Sequence, residues 1–156
     1  ARRIQNDYGR PVTLLDGDEI RKLLSSELGF SHEHRRLNML RHAFIAAELC
    51  RHGAIAICAL IAPYDEVRRE MRAMIAPHGR FLEIYLSTPL SVCEQRDPKR
   101  LYARARAGEL SHVTGIDDPY ERPRAPDLEL DTSALSVDQC VNRILSMLEP
   151  ELRRGG

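Results

Sequence analysis

Short apolar runs alternate with longer segments of helical periodicity along this chain of 156 residues. The clearest run, residues 54–61, is uninterrupted and is followed by Pro63, a pattern typical of a strand inside a parallel sheet. Residues 12–15, 80–86 and 128–130 have a similar strand character. The alternation predicts an α/β fold, with a parallel sheet covered by helices on both faces and a single domain over residues 1–156.

Helices are predicted over residues 19–28, 33–52, 66–75 and 137–148, with a short helix after Pro89. Asp18 is the predicted N-cap of the first helix, since its carboxylate can accept from unpaired amide groups there. Residues 153–156 are expected to be a frayed end. The second helix is predicted to face the core through apolar residues near helical spacing: Leu37, Leu40, Phe44, Ala47 and Leu49.

The charges balance, with 23 basic against 23 acidic residues. Such a chain has no global field to attract nucleic acid or an acidic membrane, so any anion site has to be local. No signal peptide and no apolar run of membrane-spanning length occurs, which predicts a soluble cytoplasmic domain. The four cysteines match neither a disulfide framework nor a zinc site and are predicted to be reduced and buried: Cys50, Cys58, Cys93 and Cys140.

The segment from residue 96 to residue 123 is basic, polar and loop-like, and it lies between two strand-like runs. Its first part concentrates cationic side chains: Arg96, Lys99, Arg100, Arg104 and Arg106. Guanidinium and ammonium groups at this density suit a phosphate or sulfate, which favours a mobile lid over an anionic ligand. A solvated, charged helix face is the alternative that spacing alone leaves open.

Three segments carry distinctive sequence motifs. They are LLDGDEIR at residues 14–21, LGFS at residues 28–31, and RDPKRLYARARAGELSHVTGIDDPYERP at residues 96–123. In this order and at this spacing they resemble the adenylylsulfate (APS) kinases, and the resemblance covers residues 9–148. It implies a P-loop-type nucleoside-triphosphate-hydrolase fold. It also implies transfer of the ATP γ-phosphate, with Mg²⁺, to the 3′-hydroxyl of adenosine 5′-phosphosulfate (APS), giving 3′-phosphoadenosine 5′-phosphosulfate for sulfate assimilation.

The phosphate loop of that family, GxxxxGK(S/T), does not occur in the sequence. The resemblance makes residues 1–8 the tail of the helix that follows the loop. We therefore expect an N-terminally incomplete chain, with the first strand and the phosphate loop upstream of Ala1. The alternative is a natural loss of the loop. It predicts a non-catalytic regulatory domain that binds the phosphosulfate nucleotide, as in some ATP sulfurylases.

Asp16 and Asp18 flank Gly17 at the carboxyl end of the first predicted strand, where open α/β sheets bind their ligands. The two carboxylates can hold a water on Mg²⁺, and one of them can accept the proton of the attacking hydroxyl. We favour Asp18 as the base, because this family position faces the substrate, and Asp16 as the side chain that holds the metal-bound water. A turn with a helix N-cap is the structural alternative.

The resemblance assigns APS contacts to residues that follow this turn. Arg21 would bind the sulfate–phosphate portion, and Phe30 would stack on the adenine. Arg35 and Asn38, one helical turn apart, match the family's RxxN motif, and Arg41 is a weaker candidate.

Ile61 is predicted to pack beside the nucleotide. Arg68, in the helix after Pro63, is a lesser candidate. Ala62 stands where some family members carry a phosphorylated serine, so a phosphoenzyme route through this position is excluded.

In the lid, the resemblance assigns substrate binding to Lys99, Val113 and Thr114. Val113 is a departure, since the family usually has a phenylalanine there that covers the other face of the adenine. Arg96 and Asp97 match a pair near the ATP phosphates. Leu135, in the loop 132–135, lies where the ATP adenine would rest, and a plain strand-to-helix turn is equally compatible with that loop.

The predicted partners are thus the small molecules APS and ATP, with neither nucleic acid nor membrane. The family also implies a homodimer, and the sequence leaves open a fused or associated ATP sulfurylase. Another nucleotide kinase of the same fold is a rival interpretation. This interpretation is disfavoured by the motifs TGID at residues 114–117 and PYE at residues 119–121.

Overall fold

A computed structural model describes residues 1–153 of the chain. Helices and strands alternate along it as the apolar pattern predicts. In chain order they are α1 (Arg2–Tyr8), β1 (Val12–Asp16), α2 (Gly17–Leu24), α3 (His32–Arg51), β2 (Ile55–Ala59), α4 (Asp65–Ile75), β3 (Ile84–Leu86), α5 (Leu90–Arg96), α6 (Leu101–Arg106), β4 (Leu128–Leu130) and α7 (Val137–Arg153). The elements fall into two compact units: unit 1 holds residues 1–81 and 147–153, and unit 2 holds residues 82–146.

Unit 1 is built on the parallel pair β1 and β2, in which Val12 lies beside Ile55 and Asp16 beside Ala59. The helices α2 and α3 form the crossover between these strands, and α3 packs against both β2 and α4. The core of the unit consists of buried side chains from β1, α3 and α4: Leu15, Met39, Ala43, Ala46, Ala47, Tyr64, Val67, Met71 and Ile75. This core fixes the carboxyl end of β1, where the candidate residues begin.

Unit 2 contains a second parallel pair, β3 with β4, in which Ile84 lies beside Leu128 and Leu86 beside Leu130. Leu130 is completely buried. The helices α5 and α6 and the turn around the Thr114–Asp118 bridge lie between these two strands in the sequence. The parallel pairing predicted from the sequence is confirmed, but the described strands form two separate two-stranded sheets rather than one.

Two strands are shorter than predicted. The strand β2 ends at Ala59 because Ala62 adopts a left-handed conformation (φ 47°) before Pro63, which takes the chain out of the sheet. The strand β3 begins only at Ile84, since its partner β4 is three residues long and offers no ladder to earlier residues. Leu14 of β1 is half exposed, so the first strand is less buried than its sequence indicates.

The first predicted helix also differs. It ends at Leu24 instead of residue 28, because Ser25 leaves the helical conformation and is completely buried. Its N-cap is Asp16, not Asp18: the Asp16 side chain accepts from the amides of Asp18 and Glu19 at 2.9 and 3.4 Å. The helix begins at Gly17, two residues earlier than the sequence suggests.

The buried face of α3 is only partly the predicted one: Ala47 is buried, and two further predicted leucines are half-buried against the core. Leu37 and Phe44 are exposed, and the buried positions include Met39, Ala43 and Ala46. Apolar residues occur on both sides of this helix, so their spacing alone could not distinguish the inner face.

The lid and the last helix are more helical than expected, since α6 lies inside the lid and α7 continues through Pro150 to Arg153. Residue 153 of the predicted frayed end is therefore helical, and residues 154–156 lie outside the described part of the chain. Each of the four cysteines is a free thiol that is partly buried rather than fully buried. Within residues 1–153 no helix has the length and apolar character needed to cross a bilayer.

Candidate active site

The Asp16–Gly17–Asp18 turn lies where β1 ends and α2 begins. Asp16 is half-buried and fixed by its two capping hydrogen bonds, whereas Asp18 is exposed in the first helical turn. A glycine is needed at position 17 because the backbone lies close to the end of β2. A Cβ at this position would lie 3.1 Å from the Ala59 carbonyl oxygen and 3.4 Å from Leu60 Cβ. The turn is thus pressed against the end of β2, and its two carboxylates emerge at the carboxyl end of the strand pair.

Arg21, Phe30 and Arg35 form one cluster, which we call the Arg–Phe cluster. The Arg21 guanidinium carbon lies 4.6 Å from the centroid of the Phe30 ring, and that of Arg35 lies 5.5 Å from it. Arg21 Nη1 donates to the carbonyls of Leu28 and Gly29 at 3.0 and 2.9 Å, and Arg35 Nε donates to the Phe30 carbonyl at 3.0 Å. These bonds hold the LGFS turn, and they leave 50% of Phe30 exposed.

The two arginines of the Arg–Phe cluster repel each other. Partial burial and the positive charge of Arg35 lower the pKa of the Arg21 guanidinium, while the Asp18 carboxylate acts in the opposite direction. An anion placed between the guanidinium groups would relieve this repulsion. The cluster therefore has the chemistry of a site for an anion attached to a flat ring, with a carboxylate close by.

Asn38 and His42 extend the polar face of α3 into the interior. Both side chains are buried, and His42 Nδ1 lies 2.8 Å from the Asn38 carbonyl oxygen. A carbonyl only accepts, so Nδ1 carries the hydrogen and Nε2 is an acceptor. Among the described residues, neither Asn38 Oδ1 nor His42 Nε2 has a hydrogen-bond partner. Asn38 is thus a polar group available to a ligand or a water.

The sequence interpretation missed His42 and named Arg41 in its place. Arg41 donates to the Leu24 carbonyl and to Ser25 Oγ, and it pairs with Glu27 at 2.6 Å, so it stabilises the chain after α2. Arg35, Asn38 and His42 follow the spacing i, i+3, i+7 of one helix face. That spacing was available in the sequence and would have pointed to His42.

His42 is expected to make the stability of the protein depend on pH. Burial, the largest effect, and the charge of Arg21 lower the pKa of His42, and the Asn38 carbonyl and Asp16 only partly oppose this. The unfolded chain therefore binds a proton below about pH 6.5 that the folded chain does not bind. The free energy of unfolding should fall as the pH drops below that value. In His42→Val this fall should be smaller, as measured by urea unfolding at about pH 7.5 and about pH 5.5.

The control for this prediction is His52→Val, which removes an exposed histidine next to the end of α3. It should leave the pH dependence as in the wild type. An equal slope in His42→Val and wild type would contradict the assignment of the effect to His42.

Ile61 lies in the loop between β2 and α4 and is 60% exposed. The next residues return to the interior, since Pro63 and Tyr64 are buried. Arg68 of α4 is buried too, and its Nη1 donates to the Ala62 carbonyl at 2.9 Å. Ile61 is thus a surface side chain, whereas Arg68 stabilises the loop between β2 and α4 from within.

In unit 2, Arg96 is joined to the loop 132–135. Its Nη1 donates to the Thr132 hydroxyl and its Nη2 donates to the Thr132 carbonyl oxygen, both at 2.7 Å. The same loop is closed by Asp131, whose side chain accepts from the Ser133 amide at 2.7 Å and whose carbonyl accepts from the Leu135 amide at 3.0 Å. Asp97 accepts from the Ala103 amide at 2.9 Å. The structure thus joins Arg96 to the loop that contains Leu135, while Asp97 holds the start of α6.

The turn around the Thr114–Asp118 bridge is organised by Asp117. Its carboxylate accepts from the amides of His112 and Val113 at 2.6 and 2.7 Å, and these bonds lower the pKa of Asp117. Val113 is half-buried, and Thr114 Oγ1 is a buried oxygen without a hydrogen-bond partner among the described residues. Lys99 is exposed in the turn before α6. Thr114 therefore has a free hydrogen-bonding function in a turn that is otherwise satisfied.

One family model covers most of the chain. The family model for adenylylsulphate kinase matches residues 1–131, which include both units' candidate residues except Leu135. The chain belongs to the adenylylsulphate kinase family. The family predicted from the three motifs is thus confirmed.

Two curated relatives are similar to the chain over about nine-tenths of its length. The adenylyl-sulfate kinase of Synechococcus sp. (strain JA-3-3Ab) is 46% identical over 140 residues, which are 90% of this chain and 78% of that protein. The sulfate adenylyltransferase of Aspergillus oryzae is 48% identical over 143 residues, 92% of this chain but 25% of that protein. The chain therefore spans about four-fifths of the first relative and a quarter of the second.

A solved structure confirms the fold class. The Mycobacterium tuberculosis APS kinase in complex with AMPPNP and APS matches with a TM-score of 0.90 and 41% identity, covering 95% of this chain and 86% of that chain. The chain accordingly has the α/β fold of the adenylylsulphate kinases, the P-loop-type fold predicted from the motifs.

Proposed function

We propose that this chain is an adenylylsulfate kinase domain, which transfers the γ-phosphate of ATP to the 3′-hydroxyl of APS to form 3′-phosphoadenosine 5′-phosphosulfate. The observation that carries the proposal is the Arg–Phe cluster: two guanidinium groups flank one exposed aromatic ring, and Asp18 acts electrostatically on one of them. APS combines a flat adenine with a doubly anionic phosphosulfate, and the cluster offers a surface for each part.

In this proposal the half-exposed ring of Phe30 stacks on the adenine, which needs no hydrogen-bond readout. Arg21 and Arg35 face the phosphosulfate, since guanidinium groups match phosphate and sulfate oxygens with paired donors. Asn38 adds a buried amide oxygen without a partner in the described chain, suited to a ligand hydroxyl or a bridging water. Ile61 offers an exposed apolar side chain to the nucleotide.

Asp18 is proposed as the base that accepts the 3′-hydroxyl proton. It is exposed, so it can reach a substrate, whereas Asp16 is fixed as a helix cap. Asp16 and Asp18 fit a Mg²⁺ site of the usual kind, because magnesium is commonly held by one or two carboxylates together with waters and substrate phosphates. Bound with ATP, Mg²⁺ would neutralise charge on the transferring phosphate. The protein's own contribution is to position the hydroxyl and the base.

In unit 2, residue correspondence with the family supports the assignment of Lys99, Val113 and Thr114 to APS and of Arg96, Asp97 and Leu135 to ATP. The buried Thr114 hydroxyl and the Arg96–Thr132 bonds are compatible with these roles. The mobility of the lid, a homodimer, an ATP sulfurylase partner and a cytoplasmic location stay predictions.

Val113→Phe should lower the Michaelis constant for APS. The aliphatic side chain takes the place of an aromatic wall, and an added stacking partner is worth about 1 kcal/mol, a few-fold to about tenfold in affinity. Steady-state kinetics with APS varied at saturating MgATP would measure the change. Val137→Phe adds a phenyl ring at an exposed position and should leave the constant as it is. An unchanged or higher value in Val113→Phe would contradict the placement of Val113 beside the adenine.

A second candidate function is a regulatory domain that binds the phosphosulfate nucleotide without transferring phosphate. The 48% identity with a fungal sulfate adenylyltransferase, of which the chain spans a quarter, favours it. The presence of Asp16, Asp18 and Lys99 favours the kinase, because a domain that only senses a ligand does not need a base.

The deciding experiment is a coupled assay of ADP release, made with the native protein that contains this chain. The kinase proposal expects release that requires APS and MgATP together. The regulatory alternative expects binding of 3′-phosphoadenosine 5′-phosphosulfate, seen by calorimetry, without release of ADP. ATP hydrolysis at the same rate with and without APS would contradict both the kinase proposal and the regulatory alternative.

A further inference from the structure

The backbone at Ala62 is in a conformation that its sequence disfavours. Its φ is 47°, in the left-handed region that residues with a Cβ seldom adopt. The following Pro63 restricts it further, because the proline ring pushes the preceding residue towards extended geometry. Such a conformation persists only where surrounding contacts hold it, and it is found preferentially at functional sites.

The contact that holds Ala62 comes from Arg68. Arg68 Nη1 donates to the Ala62 carbonyl at 2.9 Å, and Nη2 donates to Asp65 Oδ1 at 3.2 Å. Arg68 is only 6% exposed, so these bonds are shielded from water and are stronger than on the surface. The guanidinium thus bridges the loop carbonyl and the first turn of α4, and it is too buried to bind substrate directly.

The loop that Arg68 holds lies against the Asp16–Gly17–Asp18 turn. A Cβ on Gly17 would lie 3.1 Å from the Ala59 carbonyl oxygen, and Asp16 pairs with Ala59 across the strands. A change in the path of residues 59–62 would therefore displace Gly17, and Asp16 and Asp18 with it. It would also move the exposed Ile61.

We propose that Arg68 is a positioning residue for the reaction, which holds Ala62 left-handed and so keeps the 59–62 loop against the Asp16–Asp18 turn. This inference rests on the proposed kinase function. It replaces the sequence-based suggestion that Arg68 contacts the substrate.

The test compares Arg68→Met in two backgrounds of the native protein, wild type and Ala62→Gly. Displacement of a catalytic group by about 1 Å can reduce the rate about 100-fold, so we expect Arg68→Met to lower kcat/KM for APS by at least about tenfold. Glycine adopts positive φ without steric cost, so the loop keeps its path more easily in Ala62→Gly. There the same substitution should cost about threefold or less. Equal losses in both backgrounds, or no loss, would overturn the proposal.

The matched control is Arg36→Met. Arg36 joins α3 to α4 through two bonds with Glu70, at 3.1 and 2.6 Å, and does not contact the loop. It should lower the melting temperature without changing kcat/KM. If Arg68→Met does not fold, Arg68→Lys is compared in the two backgrounds, because a lysine keeps the charge and loses the two-pronged geometry.

Hydrogen exchange of the amides of residues 59–62, 64 and 65 and of Gly17, without ligand, separates this inference from the proposed function. Exchange should be faster in Arg68→Met and partly slowed again when Ala62→Gly is added. If the wild-type protein shows no APS-dependent release of ADP, the proposed function fails while the exchange still tests the contact. Unchanged exchange in Arg68→Met would overturn the role of Arg68 even in an active enzyme.

Discussion

Asp18→Asn should reduce kcat of the native protein by about 100-fold to 10,000-fold, the range that general-base catalysis contributes. The amide keeps the size of the side chain and removes the basic oxygen that would take the 3′-hydroxyl proton. The helix should persist, because its cap is Asp16 and the Asp18 backbone amide still donates to Asp16 Oδ1. The Michaelis constant for APS should change much less than kcat. Steady-state ADP release with both substrates saturating measures the effect.

Glu19→Gln is the matched control for Asp18→Asn. Glu19 also lies in the first turn of α2, and its side chain pairs with Lys22 at 3.0 Å on the surface. The substitution removes the same charge from the same helix end, so it reports the effect of the helix dipole, about 0.3–1 kcal/mol. If both variants lost activity equally, the loss would stem from local charge and Asp18 would not be the base.

Arg21→Met should raise the Michaelis constant for APS about tenfold to 100-fold, because a hydrogen bond to a charged group is worth about 1.5–3 kcal/mol. The effect has two sources. The anion loses a guanidinium partner, and the LGFS turn loses the bonds to the Leu28 and Gly29 carbonyls that hold Phe30 in place. The constant for ATP should change little. Kinetics with each substrate varied in turn would measure both values.

Lys22→Met is the control, since it removes one positive charge from the adjacent position of α2 without contact to the LGFS turn. It should leave both Michaelis constants near the wild-type values. Arg21→Lys would resolve the two sources, because a lysine keeps the charge but cannot donate to two carbonyls in the fixed geometry of a guanidinium. A normal constant for APS in Arg21→Met would remove Arg21 from the site.

The sequence predicted the elements well where local chemistry decides them. The run at residues 54–61 became β2, and Gly53 follows the end of α3 as a left-handed residue. The LGFS segment and the acidic DGD segment were identified from their sequence motifs, which no packing argument could supply. Their side chains form the Arg–Phe cluster and the carboxylate turn.

Features that depend on tertiary contacts could not be predicted. Which face of α3 is buried depends on neighbours in β2 and α4, and its apolar residues lie on both sides of the helix. The role of Arg68 rests on a left-handed Ala62, and alanine carries no sequence signal for that conformation. Asp16, not Asp18, is the N-cap of α2. To predict this, one would have to know the first residue of the helix, which hydrophobic periodicity does not resolve.

The capping bonds of Asp16 have a consequence for ligand binding. Both amides donate to Oδ1, so the side chain is held in one rotamer by the fold itself. Oδ2 has no hydrogen-bond partner within residues 1–153, and it projects from a carboxylate that is already oriented. A ligand that uses this oxygen, such as a metal-bound water, meets a side chain whose conformational entropy was lost when the protein folded. Replacement of Asp16 would thus weaken such a ligand even where another oxygen could reach it, because the new group would have to be ordered at the moment of binding.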